Sequence, residues 1–300
     1  MSITTENKGK TLQVAIIGGS GKMGRWFARF LRDGGHDVVI SGRNPAKLKE
    51  AGEQLGVKTA ANTEAAKTAD VILLSVSIES FADVVRELSP QINPGQTVID
   101  ITSVKEFPVT TMHHYLKTPK ILGAHPLFGP GAKGFARQNF VLTPTNDTEK
   151  ALADKVSQYL TERDARVTRM TPQEHDGMMT VILGLAHFIA IVSADTLLAA
   201  DKLRDMPGIS GITYKVLLTL IESVLSEDPE LYASLQMHLP GISKVESMFR
   251  EKTELWTDLV ASGNRGEFVR RMQELKKRLE EDAPDFGKAY EKMYKIAQDL

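Results

Sequence analysis

The apolar run Val14-Ala15-Ile16-Ile17 leads into Gly18-Gly19-Ser20-Gly21-Lys22-Met23-Gly24, and the amphipathic segment Arg25-Trp26-Phe27-Ala28-Arg29-Phe30-Leu31 follows. A buried strand, a tight turn and a helix in immediate succession constrain this chain more than any other stretch. Gly19, Gly21 and Gly24 have the G-x-G-x-x-G spacing of a dinucleotide-binding turn. The first glycine permits the turn, the second admits a pyrophosphate to the backbone, and the third lets the helix pack on the strand. The helix N-terminus adds N–H groups and a partial positive charge for the phosphates. Glycines at this spacing can also do no more than join a strand to a helix. The apolar run before them and the amphipathic run after them favour nucleotide binding.

Downstream, Asp37 to Gly42, Val71 to Val76, Thr97 to Ile101 and Lys120 to Ala124 read as further strands. Asn44 supplies an N-cap and Pro45 a first helical residue for a helix over 46–55, and Ile78 to Leu88 reads as another helix. Strands alternating with helices imply parallel pairing in a doubly wound α/β sheet. Phe140 to Leu142 and Ala165 to Thr168 are candidate edge strands, with a helix from Glu149 to Leu160 between them. Beyond about residue 170 no convincing strand follows. Helical patterns run over 175–203, 212–225, 229–238, 243–261 and 267–279, with a last helical stretch through Lys295. The expected division is a Rossmann-type dinucleotide-binding domain over 1–170, opening with a flexible tail over 1–10, and an all-α domain over 171–300.

Composition narrows the function classes. The 300 residues carry 37 Lys+Arg against 38 Asp+Glu, a formal charge of −1, so nothing points to a nucleic-acid or membrane partner. The absence of cysteine excludes disulfides, thiolate catalysis and cysteine metal sites. The first eight residues contain no apolar signal core. The most apolar later run, Val181 to Ala200, is interrupted by His187 and Asp195 and reads as a buried helix, not a membrane span. A soluble cytoplasmic protein without a bound metal is expected.

In an open α/β sheet the ligand lies beyond the C-terminal strand ends, so the residues that end each strand carry the chemistry. The second strand ends Ser41-Gly42-Arg43-Asn44, without the carboxylate that usually binds a ribose 2′-hydroxyl. Arg43 could pair with a 2′-phosphate and Ser41 could donate to it, which favours NADP over NAD. Asp100 to Lys105 and Gly123 to Pro130 follow the fourth and fifth strands. His125 suits removal of a hydroxyl proton as hydride leaves the same carbon, and Ser103 could fix that imidazole or the hydroxyl. His125 equally suits a structural place in its loop. On an ideal helix His175 and His187 lie about a third of a turn apart and would not converge on a metal. His187 alone reads as a satisfied core histidine, and His36, His113, His114 and His238 receive no role.

Taken in order, these stretches resemble the prephenate dehydrogenase family of tyrosine biosynthesis, in its archaeal form. The resemblance rests on Gly18 to Gly24, Ser75-Val76-Ser77-Ile78, D-x-x-S-V-K over 100–105, and His125-Pro126-Leu127-Phe128-Gly129-Pro130. It continues through Glu174-His175-Asp176, His187-Phe188, Ile212-Thr213-Tyr214-Lys215 and Asp228-Pro229-Glu230-Leu231-Tyr232, covering roughly residues 12–235. The resemblance implies oxidative decarboxylation of prephenate to 4-hydroxyphenylpyruvate, with hydride passing to NADP (or NAD). It implies His125 as proton acceptor, with Ser103 hydrogen-bonding near the hydroxyl. It places Gly19, Ser20, Gly21, Lys22, Met23, Gly24, Ser41, Arg43, Asn44, Ser75 and Val76 at the cofactor. His187 then belongs to the substrate site.

The two carboxylates of prephenate call for cations from the helical half, with Lys215 the best candidate and Arg250 and Lys244 weaker ones. Several bacterial members of the family carry an arginine five residues before the Asp-Pro, whereas here that place is Ser223, preceded by Glu222. Arogenate, with an amine in place of the keto group, therefore stands as an alternative substrate. A deazaflavin-linked oxidoreductase and a non-catalytic NADP(H) sensor are more distant alternatives. No regulatory or chorismate mutase domain is expected. The apolar helices beyond residue 175 call for burial between two subunits, so a homodimer through the helical half is expected.

Overall fold

The computed structural model describes residues 11–297 apart from Lys202, Arg204 and Asp205, so the tail expected over 1–10 lies outside the described residues. The chain divides into two compact units, Met1–Met178 and Met179–Leu300.

The first unit is an eight-stranded sheet flanked by helices. In chain order it contains β1 (Gln13–Ile17), α1 (Lys22–Asp33), β2 (Asp37–Ser41), α2 (Pro45–Leu55), β3 (Lys58–Thr59), α3 (Asn62–Thr68), β4 (Val71–Leu74) and α4 (Ile78–Leu88). Then come β5 (Thr97–Asp100), α5 (Glu106–Tyr115), β6 (Ile121–Pro126), β7 (Asn139–Thr143), α6 (Asp147–Thr161), β8 (Arg166–Arg169) and α7 (Pro172–Met179). The strand order is β3-β2-β1-β4-β5-β6-β7-β8. After β3 the chain crosses back to the far side of β1, which makes the β1/β4 boundary the topological switch point. The ligand crevice of such a sheet opens there, at the ends of Ile17 and Leu74.

Strand residues alternate between two cores because successive side chains point to opposite faces. Ala15, Ile17, Ile72, Leu74 and Val98 pack with Phe81, Val85 and Leu88 of α4 and with Val109 and Met112 of α5. Val14, Ile16, Val38 and Ile40 face the other way, onto Trp26, Phe27 and Ala28 of α1 and Ala51 and Leu55 of α2. Burying each large side chain of this kind stabilises the sheet by about 1.5–3 kcal/mol. Asn44 caps α2 as expected, accepting the Lys47 N–H at 3.0 Å.

The expected doubly wound sheet is present, with four differences in detail, the first being that the short helix α3 went unread. β3 went unread because its two residues, Lys58 and Thr59, are exposed and carry no apolar pattern. α5 went unread because Pro108 and β-branched residues occupy its first turns, although proline is tolerated there. β7 pairs with β6 antiparallel, not parallel. Residues 127–138 between them contain no helix, and a parallel return needs a crossover.

The second unit is helical: α8 (Ala186–Ala199), α9 (Ile212–Leu225), α10 (Pro229–His238), α11 (Ile242–Ala261), α12 (Arg265–Asp282) and α13 (Ala289–Ala297). The single helix expected over 175–203 contains a π-helical turn, Thr180–Leu185, and ends at Ala199. Such turns widen the backbone by one residue and recur at functional sites. The run expected to be a buried helix is largely open. The helix Pro172–Ala199 is long and apolar enough to cross a membrane, yet only 17% of its apolar window is buried. Val181, Ile182, Val192 and Leu198 are among its exposed residues.

The turn after β1 contains the tightest backbone approach in the unit. Gly18, not Gly19, takes the left-handed conformation, at φ 85°, and a Cβ there would lie 2.1 Å from the Ser75 carbonyl oxygen. Backbone strain of this kind costs about 1–3 kcal/mol before any overlap is counted. Gly18→Ala is therefore expected to lower the stability of the full chain by at least about 2 kcal/mol. Urea unfolding followed by circular dichroism checks this, and an unchanged midpoint would contradict the close approach.

Candidate active site

The glycine turn leaves one side open at the start of α1. The Gly18 and Gly19 N–H groups donate to the Ser41 carbonyl at 3.1 and 2.8 Å, tying the turn to the end of β2. A Cβ on Gly19 would meet Ile40 at 2.5 Å, and one on Gly24 would meet the Gly18 oxygen at 2.4 Å, so both glycines are needed for packing. A Cβ on Gly21 would meet only the Gly18 oxygen, at 3.3 Å, which leaves that side of the turn open. The N-terminus of α1 has no side-chain cap and no acidic residue in its first turn. Open space beside an uncapped helix start fits a pyrophosphate. Arg25 donates to the Ser20 carbonyl at 3.0 Å and holds the turn from behind.

Around this cradle the sequence-predicted residues have different surroundings. Ser41 is fully buried, and its Oγ has no partner among the described residues. Arg43 is exposed, and the Asn44 side chain is engaged as the cap of α2. Ser75 donates its N–H to the Ile17 carbonyl at 2.8 Å, joining the ends of β4 and β1, and Val76 packs against the core beneath.

On the other side of the switch point, the D-x-x-S-V-K stretch forms a buried frame. Asp100 Oδ1 accepts the Thr102 N–H at 2.8 Å, and Thr102 Oγ1 donates to the Val104 carbonyl at 2.9 Å, which folds the chain back at the end of β5. Ser103 lies half-buried at the centre of that turn. Lys105 Nζ then reaches back to donate to Asp100 Oδ2, and to the Ala124 carbonyl at 2.8 Å. Both members of the ion pair have completely buried side chains. Burial pushes the Asp100 carboxyl up and the Lys105 ammonium down, each against their mutual attraction.

His125 is the residue after Ala124. The sequence suggested a loop position beyond its strand, but β6 extends to Pro126, and His125 is a strand residue opposite Val141. The proline does not end the strand because β6 is paired there with the antiparallel β7. His125 is 5% exposed, and its Nδ1 lies 2.8 Å from Nε2 of the fully buried His175. His175 Nδ1 lies 2.7 Å from Asp176 Oδ1. Asp176 accepts the Lys105 N–H at 2.7 Å on Oδ1 and the Glu106 N–H at 2.9 Å on Oδ2. Asp176 thus caps the start of α5, whose own cap residue, Lys105, has no side-chain bond to it.

Burial lowers His125 well below the ordinary histidine value, and the neighbouring His175 and Lys105 lower it further. Burial also lowers His175, opposed by its hydrogen bond to Asp176. Both imidazoles are therefore neutral near pH 7, the form in which a histidine accepts a proton. Residue-type reasoning singled out His125 but gave His175 and Asp176 no role. The only available signal was the Glu174-His175-Asp176 match, whose partners lie 50 to 71 residues away in sequence. No cluster of three or more metal-ligating side chains occurs among the described residues.

In the helical unit, His187 stacks edge-on against Tyr232 with ring centroids 4.7 Å apart. It is not the satisfied core histidine that its apolar helix suggests, because its buried Nδ1 has no partner among the described residues. Burial lowers its pKa as well. Lys215 is exposed in the first turn of α9, after Tyr214, whose buried hydroxyl is also unpaired. Lys244 and Arg250 are exposed on α11, and Ser223 is exposed with its hydroxyl donated to the Leu220 carbonyl at 2.8 Å.

Comparison with known proteins agrees with this architecture. Residues 27–169 match the nucleotide-binding domain of prephenate dehydrogenase, and residues 171–274 match its dimerization domain. A Methanocaldococcus jannaschii protein described as a probable arogenate/prephenate dehydrogenase is 31% identical over 92% of this chain and 63% of its own length. A Haemophilus influenzae T-protein is 29% identical over 75% of this chain and 56% of its own. The chain thus spans about three-fifths of the length of these curated relatives. A crystal structure of Aquifex aeolicus prephenate dehydrogenase with hydroxyphenyl propionate and NAD+ superposes with a TM-score of 0.75 at 23% identity, covering 91% of this chain and 99% of that one. Synechocystis arogenate dehydrogenase gives a TM-score of 0.67 at 20% identity, covering 90% and 99%. The two matched regions, successive and together spanning most of the sequence, show that this chain belongs to the prephenate dehydrogenase family.

Proposed function

We propose that the protein is an NADP-linked prephenate dehydrogenase that converts prephenate to 4-hydroxyphenylpyruvate and carbon dioxide. The observation that carries the reading is His125: a buried imidazole, kept neutral, anchored in β6 beside the Asp100–Lys105 frame. The bound nicotinamide would take up the hydride leaving the ring carbon that bears the hydroxyl. His125 accepts the hydroxyl proton as that hydride departs. When the ring loses its carboxylate and becomes aromatic, the same imidazole returns the proton to the phenolate oxygen. Aromatisation drives the step, so positioning and proton removal are the main demands on the protein.

Gly19, Ser20, Gly21, Lys22, Met23 and Gly24 are the proposed pyrophosphate cradle, with Ser75 and Val76 at the facing strand end. The exposed Arg43 is the proposed ligand of the 2′-phosphate, with Asn44 and Ser41 shaping its loop. The lack of a carboxylate at the end of β2 supports NADP over NAD. Ser103, His187 and Lys215 are proposed substrate contacts, from the β5 turn, α8 and α9 respectively. We assign residues 1–170 to cofactor binding and 171–300 to substrate binding and dimerisation, in a cytoplasmic enzyme. A second copy of the chain would cover the apolar face left open on Pro172–Ala199, since exposed patches of this kind mark association surfaces.

Steady-state assays with prephenate or arogenate, each with NADP or NAD, test the reading. Turnover of prephenate with NADP is expected. Preference for arogenate would move the substrate assignment within the family, and no turnover with any pair would overturn the dehydrogenase reading. His125→Asn should lower kcat by about 100-fold or more while NADP still binds. Arg43→Ala should weaken NADP more than NAD, and equal weakening would sink the NADP assignment. Because only neutral His125 accepts a proton, and its pKa is lowered, the acid limb of kcat/KM should have its midpoint below about 6.5. Light scattering at micromolar concentration should give a dimer, and a monomer would refute the association surface.

A further inference from the structure

We propose that His175 and Asp176 are positioning residues that fix His125 in the tautomer with its hydrogen on Nδ1, leaving the Nε2 lone pair as the base. The inference rests on the reading of His125 as proton acceptor, and it assigns the accepting atom and the two residues that select it.

The direction of the chain follows from its fixed end. A backbone N–H can only donate, and those of Lys105 and Glu106 donate to Oδ1 and Oδ2 of Asp176. Asp176, with both oxygens facing backbone donors, acts as acceptor. The 2.7 Å contact from His175 Nδ1 to Oδ1 is therefore an N–H donated by the imidazole. A neutral imidazole has one N–H, so His175 Nε2 carries a lone pair. The 2.8 Å contact between that nitrogen and His125 Nδ1 then requires the hydrogen on His125. The remaining nitrogen of His125, Nε2, is left unprotonated.

The opposite direction fails at Asp176. If His125 accepted at Nδ1, His175 would have to donate from Nε2 and present a lone pair to Oδ1 at 2.7 Å. Two acceptors would then face each other where both side chains are buried, the arrangement that buried polar groups avoid. A doubly protonated His175 would satisfy both contacts, but burial and the Lys105 charge oppose it. A base held by a second group, itself held by a third, is a recurrent way to keep one nitrogen ready. The first and last members here are provided by β6 and α7, and the backbone start of α5 sets the polarity.

Nitrogen-15 NMR of the histidine-labelled full-length protein reads the tautomer directly, with His125→Asn identifying the signal. The expected pattern is a protonated Nδ1 and an unprotonated Nε2, and a dominant Nε2–H form would overturn the proposal. Kinetics supply the second readout. His175→Phe, which keeps a ring but no acceptor, should lower kcat by about 100-fold. The KM for NADP should stay within about twofold. His175→Gln, whose amide oxygen can accept the Nδ1 hydrogen, should recover part of the loss. Wild-type kcat in His175→Phe, with His125→Asn inactive, would refute the positioning role and leave the proposed function standing. If the wild type turned over no substrate, the proposed function would fall, and the tautomer pattern alone would decide the inference.

Discussion

The ion pair between Asp100 and Lys105 is the constraint around which the first unit is arranged. Removing two charges from water costs several kcal/mol per ion, and their attraction repays this only when the remaining hydrogen-bonding groups are also satisfied. Here each charge has a further partner: Asp100 accepts the Thr102 N–H, and Lys105 also donates to the Ala124 carbonyl. One ammonium therefore ties the end of β5 to β6 one residue before His125. Its path sets a further condition on β6. A Cβ at Gly123 would lie 3.2 Å from Lys105 Cδ, 2.7 Å from Val109 and 2.4 Å from Thr143 Oγ1, so that strand position has room only for hydrogen.

Much of this was legible in the sequence, where the signal was local. The turn, the apolar strands and the helices over 78–88, 212–225 and 229–238 follow from periodicity and capping residues a few places apart. The strand end near His125 was read short because a proline normally ends a strand, and the antiparallel partner that holds it is distant in sequence. Lys105 received no role of its own from the sequence, since its partners are Asp100 and the Ala124 carbonyl. His175 and Asp176 carried no local signal at all, since their partners are His125, Lys105 and Glu106. Side chains that act across tens of residues leave no periodic trace. Only the resemblance to a family drew attention to them.

The helical unit shows the same limit in another form. Its apolar sequence was expected to be buried, and within one chain it is not. Hydrophobic patterning reports that a face must be covered without saying which molecule covers it. The π-helical turn was also beyond periodicity, because it alters the helical phase by a single residue. Its Gly184 explains part of the local packing. A Cβ there would come within 2.4 Å of Ile242, and its carbonyl accepts from Gln236 at 2.9 Å.

Asp176 meets two requirements with one carboxylate: it closes the open start of α5 and it ends the histidine chain. A lineage that replaced it would have to cap α5 in another way, most simply with Ser, Thr, Asp or Asn at position 105. That exchange would remove the ammonium from Asp100 and leave a buried carboxylate without its counter-charge. Neither position can therefore drift alone. The physical constraint thus ties Asp100, Lys105 and Asp176 to one another, although 76 positions separate the first from the last.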